Sequence, residues 1–229
     1  MAGTFGDWLE YNILRWIGRN TDLPAAPDAI FVSLHSADPG DTGASELPST
    51  GSYARVSCAT TAAFWNAPVI SGGGHRLDNG SIIAFPTATA DWNGQTAIPG
   101  FGLWDADVTA LNNISSVNDT SNELTVTGHG LSHGDAVRIG ATGTPPTPLV
   151  NTTVYYARVI STDVIKVHLT YADALANTNA VDITNTTTGA SVHKLGNYLG
   201  GGTLVQSKPV LSGDTAKFAA GSFDIDVSA

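Results

Sequence analysis

The residues best suited to chemistry are two histidines four apart. His129 and His133 lie in Gly128-His129-Gly130-Leu131-Ser132-His133-Gly134-Asp135, with Asp135 close behind. On a helix, histidines at i and i+4 share a face and can hold one zinc ion. Three glycines within eight residues make this segment a turn, so the spacing loses that meaning and no metal site is expected. His168 and His193 fall in separate strand-like runs. Asp105 and Asp107, in Trp104-Asp105-Ala106-Asp107, are the best carboxylate pair. On a strand they would share a face, near the roughly 5.5–9.5 Å separation used in glycoside hydrolysis. Cys58 sits in the alternating run YARVSCA, far in sequence from any histidine, and reads as an inert buried thiol. No GxSxG, HExxH or phosphate-loop pattern occurs, so the reading is of no enzyme and no cofactor. Sugar contact is the remaining chemistry. Trp65-Asn66, Trp92-Asn93 and Tyr155-Tyr156 each set a ring beside a polar or aromatic neighbour, and Tyr155 and Tyr156 are the candidates for glycan contact. Core packing is the commoner use of such rings in a β domain.

Composition narrows the classes further. The chain has 229 residues and a net charge of -10, with its ten Lys and Arg scattered, which argues against nucleic acid. Charged residues are only 13% of the chain, against about 25% in ordinary globular domains. A neutral-polar surface of this kind suits proteins that assemble, since charges at contacts would have to be desolvated. One cysteine excludes an internal disulfide. No run reaches the roughly 18–20 apolar residues of a membrane span. The N-terminus lacks a basic region followed by an apolar block, so a soluble protein without a secretory signal is expected.

Around these residues the elements are mostly strands. The stretch Phe85 to Asp107 carries Trp92 and Trp104 in short apolar runs separated by Asn93-Gly94 and Pro99-Gly100, both turn signals. It reads as sheet core. Residues 4–18 form the one clear helix, with Thr4 as its cap and an apolar stripe of Phe5, Trp8, Leu9, Ile13, Trp16 and Ile17. That stripe packs either on its own sheet or on a neighbouring subunit, and Trp8, Trp16 and Trp104 are the candidate anchors of an assembly interface. Ala29–His35, Tyr53–Ala59 and Ser81–Phe85 read as strands, and Ser71-Gly72-Gly73-Gly74 breaks the chain. Further on, strands are expected at Ser121–Thr127, Ala136–Ile139, Thr153–Ile160, Val164–Leu169, Val181–Thr184 and Ala190–His193, with a one-turn element at Ala172–Ala176. The expected fold is therefore mainly β. An N-terminal amphipathic helix and a β-sandwich or jelly-roll-like base would be joined by a small β-barrel-like domain.

The colinear order of IFVSLHSADPGDTG, a loop with Glu46, Gly51-Ser52-Tyr53-Ala54-Arg55, FPTATADW, FGLWDAD and LSGDTAKFAAGSFDIDVS carries a resemblance. It is similar to small virion structural proteins of tailed bacteriophages, often labelled tail fibre or minor structural proteins. In that family the FGLWDA segment leads shortly into a Gly-rich strand, which here is GNYLGGGTLV. The block between resembles a recurrent phage β module marked by T-G-H-G-L-x-x-G-D-x-V-R and a following YY strand. Residues 110–195 are therefore expected as an exposed inserted domain, and 1–109 with 196–229 as a discontinuous base, since insertion into a loop costs little. The resemblance implies a non-enzymatic virion protein assembled in the bacterial host cytoplasm. Its partners would be copies of itself, most plausibly in a homotrimer, and other virion proteins of capsid, neck or tail. The short chain without long repeats favours a capsid decoration or cement protein. The alternative is a tail or neck fibre recognising host surface polysaccharide, and a hydrolase acting through Asp105 is the third reading.

Overall fold

The computed structural model describes residues 3–71, 74–140 and 142–227. Gly72 and Gly73 of the expected chain break, and Ser228 of the final motif, lie outside them. The chain divides into two compact units, Met1–Ala106 with Leu199–Ala229, and Asp107–Tyr198.

Unit 1 opens with β1 (Gly3–Phe5) and α1 (Asp7–Arg19), followed by β2 (Ala29–His35), β3 (Val56–Ala59), β4 (Val69–Ser71), β5 (Gly74–Asp78), β6 (Ile83–Ala84) and β7 (Ile98–Trp104). Unit 2 carries β8 (Thr109–Ala110), β9 (Ser116–Asn118), β10 (Glu123–Thr125), β11 (Ala136–Ile139), β12 (Tyr155–Val159), β13 (Val164–His168), α2 (Tyr171–Ala176) and β14 (Val192–Lys194). The chain then returns through β15 (Tyr198–Lys208), β16 (Lys217–Phe218) and β17 (Asp224–Val227).

In unit 1 the main sheet has the order β1-β15-β7-β2-β3, and two small sheets, β16-β6 and β17-β5-β4, complete it. Side chains alternate along β2, so Val32 and Leu34 point into an aromatic core with Phe85, Trp92, Phe101 and Phe223. The Gly100 position of β7 admits only glycine, because a Cβ there would collide with the carbonyl of Ala37. The helix begins later than its sequence signals suggest. Thr4 is a strand residue opposite Gly201, and the cap position is Gly6, which offers no side-chain oxygen. Backbone pairing with a glycine-rich strand outcompetes the capping box here.

Unit 2 is one antiparallel sheet of order β8-β14-β11-β12-β13-β10-β9. The segment that contains β8 and β9 bonds to both ends of that order. Leu111 and Ile114 donate their N–H groups to Val192 and Ala190, while Val117 pairs with Leu124. The sheet therefore closes on itself, around a core that includes Leu124, Val137, Tyr155, Ala157 and Ile165. The one-turn element is α2, capped by Thr170, whose hydroxyl accepts from the Asp173 N–H at 3.1 Å. Val181–Thr184 forms no strand. Its Ile183 is core, and the segment is held by hydrogen bonds such as Ile183 N–H to Asn122 Oδ1 at 2.8 Å.

Candidate functional site

Several of the most deeply buried polar residues of unit 1 converge on one place, apart from Asn79. Ser33 and His35 are two apart on β2, so they share a face, and both are 0% exposed. His35 Nδ1 lies 2.7 Å from the carbonyl oxygen of Ala44, and its Nε2 lies 2.7 Å from Ser33 Oγ. A carbonyl only accepts, so Nδ1 carries the proton and Nε2 accepts from the serine hydroxyl. Ser33 Oγ in turn accepts from Trp104 Nε1–H at 2.9 Å. One arrangement of protons thus satisfies these four groups.

Trp104 joins this relay to an ion pair. The guanidinium of Arg55 lies over its ring, 3.9 Å from the centroid. Arg55 donates from Nε to Glu46 Oε1 and from Nη2 to Glu46 Oε2, both at 2.8 Å, and from Nη1 to the Ala106 carbonyl at 2.9 Å. The two charged side chains are 1% and 2% exposed. Tyr53 lies alongside, its hydroxyl accepting from the Leu34 N–H at 2.8 Å. Glu46 reaches this position because residues 36–45 form a closed loop. Ser36 donates its N–H to Ser45 and Leu47 to Leu34, and His35 and Glu46 form an isolated bridge. The motifs SLH, Glu46, YAR and LWDA thus meet at one clasp.

A serine bonded to a histidine that is oriented by a carbonyl has the form of a nucleophile–base pair. Here the serine is sealed from solvent and its oxygen is engaged by an indole N–H, so no substrate reaches it. The clasp fixes the loop to the sheet. Sequence reading passes over it because each residue looks ordinary alone. The available signal is S-x-H on one strand face, together with an arginine set in the strand-like run YARVSCA of a charge-poor chain.

The other candidates are placed separately. Burial pushes the Cys58 thiol up to about 12, so it carries essentially no thiolate at neutral pH. The Asp107 carboxylate accepts from the next residue's N–H at 2.7 Å. His129 Nδ1 accepts from Leu131 N–H at 2.9 Å, and its Nε2 therefore donates to the Ser161 carbonyl at 3.0 Å. His133 Nδ1 accepts from Val159 N–H, and Asp135 Oδ2 takes both the Ser132 N–H and the Lys194 ammonium. Among the described residues no three His, Cys, Asp or Glu side chains converge as a metal site, and no helix is long and apolar enough to cross a membrane.

The aromatic candidates change role. Tyr155 and Tyr156 are 3% and 2% exposed. Tyr155 is core, its hydroxyl accepting from the Val150 N–H at 3.0 Å, and Tyr156 meets the edge of Tyr171 at 6.0 Å between centroids. Both rings of the pair expected to contact glycan are therefore buried in this structure. Trp65 and Trp92 are likewise buried, within the core of unit 1, and Trp104 is 0% exposed. Trp8 is half-buried, and Trp16 is 54% exposed beside Leu14 and Ile17.

Two histidines of unit 2 make its stability depend on pH. His168 is fully buried, with Nδ1 donating to the Thr178 carbonyl at 2.7 Å and Nε2 without a hydrogen-bond partner. Burial, above all, holds its pKa below the ordinary 6.5, and burial followed by Arg138 does the same for His193. Both bind protons more readily in the unfolded chain. Their neutral forms thus leave unit 2 at full stability above the ordinary value, and that stability falls as the pH drops through it towards the lowered folded values. Urea melts at about pH 7.5 and about pH 5 should show a lower midpoint in acid, and His168→Gln should flatten the difference. A midpoint that rises in acid contradicts this assignment.

A family model described as Podophage GP4 fiber I protein gp80 matches residues 4–130, over half of the chain. The span takes in α1 and every residue of the clasp. No curated protein matches the chain.

Proposed function

The chain belongs to the podophage GP4 fiber I protein gp80 family and is a structural protein of a tailed-phage virion; from that membership we propose that it serves without enzymatic activity as a component of a virion fibre. The observation that carries the fibre position is the family match across α1 and the clasp. It outweighs the short length that favours capsid decoration. The buried polar residues support the non-enzymatic reading, since Ser33, His35, Glu46 and Arg55 are consumed in holding a loop.

Assembly is the second part of the proposal. Trp16 and Ile17, at the end of the α1 stripe, are 54% and 69% exposed, Leu14 on another face is 67% exposed, and Asn12 is the one buried residue of the helix. An isolated helix of this length is marginal in water. We assign this stripe to contacts between copies of the chain, with Trp16 as the anchor. The inserted unit is proposed to project outward. Antibodies raised against unit 2 and imaged on whole particles test the position: labelling on fibres is expected, and labelling across the capsid lattice would return the decoration reading.

A further inference from the structure

We propose that unit 1 carries a binding site for an acidic sugar, in the cleft between β15 and the segment that leads into β16. The cleft has a volume of about 340 Å³, room for one or two monosaccharide rings. Its floor is apolar, made by Leu34, Phe85, Ile98 and Val210, all 7% exposed or less. Its rim is polar. Side chains alternate on β15, so Leu204, Gln206 and Lys208 share the face that lines the cleft. That face grades from a half-buried apolar group through an amide to an ammonium. Across from it stand Asp214 and Lys217.

The charges select the ligand. The chain holds four lysines, Lys166, Lys194, Lys208 and Lys217, within a net charge of -10. Two of the four line this one cleft, on segments nine residues apart in sequence. Lys194 is bound to Asp135 at 2.6 Å, whereas Lys208 and Lys217 make no ion pair with any described residue. An anion between them would be the natural counter-charge. The rest of the rim suits hydroxyl groups, with Gln206 able to donate and accept and Asp214 able to accept beside its bond from the Leu211 N–H. The half-buried Leu204 side chain is the apolar surface open to the C–H face of a pyranose ring. A carboxylate, several hydroxyls and one apolar face describe a hexuronate. The site is built from residues of unit 1 alone and does not depend on where in the virion the chain sits.

The probe is D-glucuronate, compared with D-glucose and with benzoate, using ligand-detected NMR on the full chain. Glucuronate should bind more tightly than either comparison ligand. Lys208→Gln and Lys217→Gln should each weaken it about threefold, as expected for exposed charge contacts, and the double variant should abolish it. Both lysines are exposed, so the variants should keep the fold. Absence of glucuronate binding, equal binding of glucose, or binding unchanged in the double variant would overturn the site. Tighter binding of benzoate would overturn the sugar and leave an apolar anion as the ligand. Particle labelling is independent of all these results, so failure here leaves the fibre reading intact.

Discussion

Arg55→Ala should lower the stability of unit 1 by about 3–5 kcal/mol, the usual cost of stripping one partner from a buried ion pair. The substitution leaves the Glu46 carboxylate sealed from water with its two strongest donors gone, and it removes the cation from the Trp104 ring. The Ala106 carbonyl loses its donor as well. Urea denaturation followed by tryptophan fluorescence reads the loss. Arg55→Lys should recover only part of it, because one ammonium cannot replace a planar fork bonded to both carboxylate oxygens. The double variant Arg55→Met with Glu46→Leu should regain most of the stability, since replacing both charges by apolar groups of similar volume is often neutral. A loss under about 1 kcal/mol in Arg55→Ala would mean that the pair is hydrated, as surface pairs are.

Phe223→Ala should cost a similar amount, about 3–5 kcal/mol, and should act on one unit alone. The ring is 0% exposed and meets Phe101 and Phe218 at 5.0 Å and Trp65 at 6.4 Å between centroids. Its backbone N–H is held at 2.8 Å by Asn79 Oδ1, while the amide of Asn79 donates to the carbonyls of Ser81 and Ala219. A residue close to the end of the chain is thus built into the centre of the core. Calorimetry should show the unit 1 transition falling while that of unit 2 stays in place. A single transition that shifts as a whole would sink the proposal that base and insert have separate cores.

Much of this was legible in the sequence where alternation and turn chemistry agree. AIFVSLH, AVRI and VIKVH are strands within a residue or so of their apolar alternation, and ADAL becomes a helix of one and a half turns. The misses have physical causes. The N-terminal residues carry a plausible cap, yet Thr4 is taken by the glycine-rich β15, whose register no local pattern reveals. Val181–Thr184 has strand composition but answers to the side chain of Asn122. The tyrosine pair shows what sequence leaves open about a ring's surroundings: adjacent strand residues point to opposite faces, and here Tyr155 is core while Tyr156 packs on Tyr171. The clasp was hidden for the opposite reason. Its members come from four motifs spread between Ser33 and Ala106, and only the fold makes neighbours of them.

The strands that flank the insert, β7 and β15, are next to each other in the main sheet of unit 1. Chain that leaves at the end of β7 therefore has to come back only one strand over, whatever lies between. The entropy of closing such an excursion grows slowly with its length. The position works like a socket: another compact module, larger or smaller, could be exchanged there by recombination without redesign of the sheet. Such an exchange would leave the strand order of unit 1 unchanged.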